Sequence, residues 1–310
     1  MSAHLVCILA HHFLLWRFTP TQQSNHSTQT NNSFIGRLHG DLVQNLASYL
    51  GAKELAKFGL TCKSSSGLVD IVAKQIIKTL QTEQESRAFP KYDTESWIEY
   101  YFEYEKSFRS PIIFDQMIGM NVHHEGNAKH CVVVEEGYTG RWSTAISNQT
   151  MRGQGKHYAT FSKRGAGEIR VGIIRPIQGI GWRGMDTFSP FVVHSLHLRE
   201  ELLGERTEKW GNSGIHCCMI EPRMQVCASC DWEDEVTWDE LEDVEQLSED
   251  CTFCMLLDLD EGTLTVYQHG QPLCQLKDGL SGEYCWATTM WNWEEGSSRV
   301  SIKRAQSPMP

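Results

Sequence analysis

Basic residues are scarce in this chain of 310 residues, which has 28 lysines and arginines against 39 aspartates and glutamates. The deficit is local, because residues 231–250 contain eleven carboxylates and no lysine or arginine, while the remaining chain balances at 28 against 28. Such a run repels a phosphate backbone, and no compensating basic stripe is present, so the sequence argues against nucleic acid as a partner. We interpret residues 231–250 as a solvated acidic loop, with an acidic docking strip as the alternative.

The sequence also lacks an apolar run long enough to span a bilayer. Its most apolar stretch, residues 1–18, is too short and too polar to do so, and it has neither the basic n-region nor the cleavage site of a signal peptide. We expect residues 1–33 to be a tail, first apolar and then polar and disordered, and either undocked or a mis-called start of the reading frame. A targeting segment is the open alternative. These features predict a cytoplasmic or nuclear protein with no membrane partner.

No catalytic constellation is evident in the sequence. Residues 179–184, GIGWRG, have the spacing of a dinucleotide fingerprint, but residues 185–190 cannot begin a good helix. Asp258 and Asp260 are explained by a hairpin turn, and His123, His124 and His130 lack a placed acid or nucleophile. The sequence therefore predicts a protein that is not an enzyme and has no cofactor.

The chain has eleven cysteines. An odd number of cysteines cannot all form disulfides within one chain, which favours a reducing compartment where thiols stay free. Cys227 and Cys230 form one C-x-x-C pair and Cys251 and Cys254 a second, at the upper edge of the spacing of many zinc sites. If residues 251–259 form a strand, Cys251 and Cys254 face opposite sides and cannot converge on one ion. We predict independent reduced thiols and no metal, with a zinc-stabilised structural protein as an alternative.

Residues 34–82 have the apolar spacing of helices. Leu42, Val43, Leu46 and Leu50 predict a first helix that ends at Gly51, and residues 55–60 predict a short second one. A third helix is predicted after the break at residues 64–67, with the apolar stripe Leu68, Val72, Ile76 and Leu80. Three short helices form too small a core to cover this aliphatic surface, so part of it is expected to face a partner.

The order of residues in this segment resembles an F-box. LHGDLV at residues 38–43, LASYL at 46–50, KEL at 53–55 and LTCK at 60–63 match the family's pattern, although His39 replaces a proline and serines replace an aromatic residue after Lys63. The resemblance implies a Skp-type adaptor as partner and, through it, a cullin. The residues it assigns to adaptor contact are Leu38, Leu42, Val43, Leu46, Leu50 and Leu55. In the alternative, the same leucines form the core of an ordinary helical hairpin.

Residues 83–110 are charged and aromatic, and their rhythm predicts one connecting helix that ends before Pro111 and docks on the next domain. From residue 111 the apolar period changes to two, at residues 168–173 and 263–267 among others, and hairpin turns are predicted at residues 260–262 and 269–270. The predicted fold class is therefore α+β multidomain: a small three-helix domain, then an all-β sandwich over residues 111–304, then a tail over 305–310.

The predicted sandwich resembles a SPRY domain. The resemblance is carried by GKHYATF at residues 155–161, RVGI at 170–173, CMLLDLDEGTLTVY at 254–267 and GLSGEY at 279–284, in the family's order. It implies that loops at one end of the sandwich bind a protein, with Trp291 as a candidate contact because it follows Tyr284 at the distance of a tryptophan that lines the peptide pocket in part of the family. Trp142 and Trp182 are further candidates because they lie on predicted glycine-rich loops. Trp286, Trp291 and Trp293 lie within eight residues, and we expect at least one of them to be core.

Together, the two resemblances imply the substrate-recognition subunit of a Skp–cullin–F-box ubiquitin ligase. The helices would bind the adaptor, and the sandwich would hold a target protein whose identity the sequence does not give. The alternative is a SPRY interaction scaffold with a degenerate F-box and no ligase role.

Overall fold

A computed structural model of the chain describes residues 50–60, 66–134, 140–165, 167–178, 185–191, 196–233, 236–241, 250–291 and 297–305. The helices in these ranges are α1 (Ala52–Leu60), α2 (Ser66–Leu80), α3 (Glu83–Ala88), α4 (Trp97–Tyr104) and α5 (Leu196–Gly204). A π-helical turn (Glu105–Arg109) continues α4, and a 3₁₀ turn (Glu208–Trp210) comes after α5. Within the described ranges, no helix is long and apolar enough to cross a membrane.

The segment predicted as one connecting helix contains two, α3 and α4, so that prediction was wrong. Thr82 and Ser96 each cap a helix through a reciprocal capping box with the glutamate three residues on, which fixes two separate starts. Pro90 lies between the helices. Both pieces belong to one helical core with α1 and α2, in which Leu55, Phe89 and Tyr104 are fully buried.

The buried stripe of α2 differs from the predicted one. Val69, Val72, Ala73 and Ile77 are buried, whereas Leu80 is 41% exposed. The observed residues still have a spacing of three and four, but the helix is rotated because α1 and α4 pack on the side of Val69 and Ile77. The prediction of a helix was right and that of its apolar face partly right, because Val72 is buried and Leu68 and Ile76 are partly buried against the same core.

Two seven-stranded antiparallel sheets make up the remainder of the described fold. The strands are β1 (Phe114–Ile118), β2 (Val122–Glu125), β3 (Ala128–Val134), β4 (Trp142–Met151), β5 (Lys156–Arg164), β6 (Glu168–Ile174), β7 (Cys217–Glu221), β8 (Val226–Cys230), β9 (Thr237–Glu240), β10 (Cys251–Asp258), β11 (Thr263–Gln268), β12 (Gln271–Lys277), β13 (Tyr284–Trp291) and β14 (Ser298–Ala305). The first sheet has the order β1-β4-β13-β6-β7-β8-β9, and the second has the order β12-β11-β10-β5-β14-β3-β2. The predicted β-sandwich is confirmed.

The space between the sheets is filled by alternate residues of both. Val171 and Trp286 of the first sheet pack in one core with Phe161, Phe253 and Leu257 of the second. Trp286 is fully buried, in agreement with the expectation that one of the three clustered tryptophans is core. Residues of the opposite parity on the first sheet form a second apolar cluster on its outer face, together with Ile177, Phe188, Phe191, Leu202 and Trp210.

A buried arginine joins the helices to the sandwich. Arg152, in the turn between β4 and β5, makes two hydrogen bonds to the Glu95 carboxylate, at 2.6 and 3.0 Å. Its guanidinium lies 3.7 Å from the ring centroid of Phe89 and 4.8 Å from that of Tyr92. Lys209 also contacts Glu95, at 3.0 Å. This junction holds the segment between α3 and α4 against the sandwich.

Candidate functional site

Two of the three predicted tryptophans meet at one end of the first sheet. Trp142 is the first residue of β4 and Trp291 the last of β13, and the two are direct cross-strand partners. Their ring centroids are 5.2 Å apart, with an interplanar angle of 33°, and both side chains are half-buried. Trp182, the third candidate, lies outside the described residues.

Arg170 lies at the centre of this aromatic surface. The centre of its guanidinium is 4.3 Å from the ring centroid of Trp142, 4.7 Å from that of Trp238 and 5.5 Å from that of Phe191. The residue is only 6% exposed, and its Nε and Nη1 atoms have no hydrogen-bond partner in the described part of the chain. An ion pair with Glu168 and the faces of the aromatic rings stabilise this charge.

We name Trp142, Arg170, Phe191, Trp238 and Trp291 the aromatic–arginine patch. The alternation of the strands places it, since Ile169 and Val171 point into the core and Arg170 therefore points to the outer face. Phe191 comes from residues 185–191, which lie on this face. That segment is held to the sheet at Trp142, whose backbone nitrogen donates to the Thr187 hydroxyl at 3.0 Å and whose carbonyl accepts from Phe188 at 2.8 Å.

Trp238 brings a part of the acidic run into the patch. It lies on β9, an edge strand whose four residues are all exposed, and its own side chain is 48% exposed. The prediction that residues 231–250 form only a loop was wrong, because Thr237–Glu240 pair with Val226–Ser229 of β8. Residues 237–240 contain only one aromatic residue among polar ones, so their strand pattern was too short to recognise within the run of carboxylates.

Glu221 supplies an unusual carboxyl group near Arg170. The residue is 1% exposed, and burial raises its pKa to about 7, with the neighbouring Glu168 charge raising the pKa further and Lys163 and Arg170 lowering it. One carboxyl oxygen accepts a hydrogen bond from the Arg223 backbone at 3.2 Å, and the other has no hydrogen-bond partner among the described residues. Glu221 is therefore a buried carboxyl group near Arg170 whose pKa lies close to neutral pH.

Little of the predicted adaptor surface lies in the described ranges. Leu38, Leu42, Val43 and Leu46 fall outside them. Leu50 is half-buried and Leu55 fully buried, and both pack in the chain's own helical core, as the helical-hairpin alternative expects. Apolar side chains exposed on these helices are instead Leu60 at 88%, Ile71 at 53%, Leu80 at 41% and Phe102 at 40%. Contact between the adaptor and the six residues that the F-box resemblance assigns to it therefore stays a prediction.

The four cysteines of the two C-x-x-C pairs do not converge. Cys227 packs in the core between the sheets and Cys230 in the cluster on the outer face, so the two point away from each other. Cys251 faces the core with Phe253, Met255 and Leu257, as predicted, and Cys254 does not. Among the described residues, no group of three or more potential metal ligands is placed to hold an ion.

No family model and no curated protein matches the chain. Solved structures that resemble it include the SPRY domain of human HERC1, with 10% identity over 63% of this chain and 98% of that one and a TM-score of 0.40. The PSpry domain of TRIM65 has 14% identity over 66% and 94%, with a TM-score of 0.38. The carbohydrate-binding module CBM66 from Bacillus subtilis has 3% identity over 63% and 92%, with a TM-score of 0.34.

Proposed function

We propose that this chain is a non-catalytic protein-interaction protein whose sandwich binds a target protein through the aromatic–arginine patch. The observation that carries this proposal is the group of three partly exposed tryptophans, Trp142, Trp238 and Trp291, arranged around one nearly buried arginine. Tryptophan and arginine are the residue types most enriched among those that dominate the energy of protein interfaces. Four of the five patch residues lie on strands of one sheet, which fixes their backbones before binding, so binding loses little conformational entropy.

The finer part of the proposal is that the chain is the substrate-recognition subunit of a Skp–cullin–F-box ubiquitin ligase. It is supported by the F-box-like order of residues 38–63 ahead of the sandwich. The exposed Leu60 and Ile71 further support it, because apolar side chains left on a small helical unit favour a partner. In this role the chain positions a cytoplasmic or nuclear target beside the ubiquitin-transfer machinery and performs no chemistry itself.

Co-expression of the full chain with a Skp-type adaptor tests the ligase role. We expect a one-to-one complex on size-exclusion chromatography, and loss of co-elution in the Leu42→Asp, Leu46→Asp double variant, because each carboxylate would be buried in an apolar interface. Gln271→Asp, at an exposed position of β12, adds a negative charge away from the helices and should leave the complex intact. Failure of the wild type to co-elute would contradict the ligase role, but it would not affect the proposal that the sandwich binds a protein.

Two departures from the F-box pattern favour the scaffold alternative: His39 stands where the pattern has proline, and serines replace an aromatic residue after Lys63. A His39→Pro variant distinguishes the two roles. If the wild type does not bind the adaptor and His39→Pro does, the F-box is degenerate and the protein is an interaction scaffold.

A further inference from the structure

The edge strand β9 has backbone groups that point away from the sheet. β9 is the last strand of the first sheet, and within the described ranges it pairs only with β8. The Leu241 nitrogen donates to the Gln225 carbonyl at 2.9 Å, which fixes the phase of the ladder. In an antiparallel pair every second residue bonds to its neighbour, so Thr237 and Asp239 bond to β8. Trp238 and Glu240 therefore direct their N–H and C=O groups outward.

The side chains of β9 give this edge a definite chemical character. Asp239 and Glu240 are exposed, and the run of residues 231–250 to which they belong has eleven carboxylates and no basic residue. Asp239 also forms an ion pair with Lys277 of β12 at 3.8 Å, so Glu240 is the carboxylate of β9 with no such ion pair among the described residues. Charges on an edge strand commonly prevent edge-to-edge aggregation. Protection alone does not explain Trp238, which is 48% exposed on the same strand and contacts Arg170 and Phe191 of the patch.

We propose that β9 is a strand-addition site for a basic, extended segment of the target protein. The segment would lengthen the first sheet by one strand, bonding to the outward N–H and C=O groups of Trp238 and Glu240. Its lysines or arginines would lie beside Asp239 and Glu240, and an apolar residue would pack on Trp238. The proposal rests on the proposed protein-binding role of the sandwich, and it specifies the class of target.

A second copy of the chain is a poorer occupant of this edge. Pairing β9 with β9 of another molecule would bring Asp239 and Glu240 of the two molecules close together. Like charges directly opposite each other on paired strands are destabilising. A basic segment turns the same carboxylates into attractive partners, so charge complementarity selects it over self-association.

Fluorescence anisotropy with the purified full chain tests the site, with a labelled extended peptide that alternates lysine and valine as the probe. We expect Glu240→Pro to weaken binding about tenfold. Proline removes both the negative charge and the outward N–H, and that N–H is not bonded to β8. Glu240→Gln removes the charge and keeps the N–H, so we expect only a roughly threefold loss. N-methylation of alternate peptide nitrogens should abolish binding to the unchanged protein, which separates strand addition from any folding defect.

Several outcomes would overturn the strand-addition site. These are no binding of the lysine–valine peptide, equal binding of a glutamate–valine peptide, equal losses in Glu240→Pro and Glu240→Gln, or no effect of N-methylation. Concentration-dependent dimerisation that Glu240→Pro abolishes would assign the edge to self-association instead. Adaptor co-elution and target binding by the Trp142 and Trp291 side chains are independent readouts, so loss of the β9 site would be distinguishable from loss of the proposed function.

Discussion

Replacing Arg152 by alanine is expected to lower the free energy of unfolding by about 3–5 kcal/mol, which is the usual cost of removing one partner of a buried ion pair. The Arg152 side chain is 2% exposed and that of Glu95 10%. Burial by itself raises the pKa of Glu95, but the Arg152 hydrogen bonds and charge hold it below its ordinary value. Without the guanidinium, Glu95 keeps only Lys209 as a cationic partner among the described residues, and Phe89 and Tyr92 lose a packed neighbour.

Urea denaturation at neutral pH measures this effect. Arg87→Ala is the matched control, because its ion pair with Glu83 is 70% and 82% exposed, and removal of such a pair costs less than about 1 kcal/mol. Equal stabilities of the Arg152→Ala and Arg87→Ala variants would contradict a buried junction between the helices and the sandwich.

Replacing Glu221 by glutamine is expected to stabilise the protein at pH 8 by as much as about 3 kcal/mol, and to have little effect below pH 5. The folded-state pKa of Glu221 is about 7, against 4.5 for an ordinary glutamate. Between these values the folded state retains a proton that the unfolded state has released, so stability falls as the pH rises from 4.5 to 7. Glutamine resembles the protonated form and does not ionise, so the variant escapes this loss.

The difference in unfolding free energy between wild type and Glu221→Gln, measured from pH 5 to pH 8, isolates this one group. Glu261→Gln, in the exposed turn between β10 and β11, should show no such pH-dependent difference. A constant difference for Glu221→Gln across the range would mean that this carboxyl is already ionised at pH 5. The raised pKa of Glu221 would then be wrong.

Local alternation was sufficient to predict the sandwich. Apolar and polar or small residues alternate over residues 168–173 and 263–267, so both segments could be assigned as strands from sequence alone. The same rule placed Cys251 and Cys254 on opposite faces and thereby weakened the zinc interpretation. Helical assignments were less exact, because the face that α2 buries depends on where α1 and α4 lie. That arrangement is set by contacts distant in sequence.

The candidate site was only partly predictable, because its residues come together through contacts between strands that are distant in sequence. Trp291 came from the family resemblance and Trp142 from its place beside predicted glycine-rich turns, and the structure places the two side by side. Arg170 was predicted only as part of a strand, and Trp238 was hidden in the acidic run. Their contact joins β6 to β9, and the sequence separation of these strands conceals it. An arginine at an outward position of an otherwise apolar strand is the one local signal that could have marked Arg170 as unusual.

Site-specific photo-crosslinking tests whether the outer face of the first sheet binds a protein, on which both proposals for the sandwich depend. In one variant, expressed in cells, a photoreactive phenylalanine analogue replaces Trp238. In the control variant the same analogue replaces Lys303, an exposed residue on β14 of the second sheet. We expect a discrete crosslinked protein adduct from position 238 and none from position 303. Adducts from both positions alike, or from position 303 alone, would contradict binding at this face.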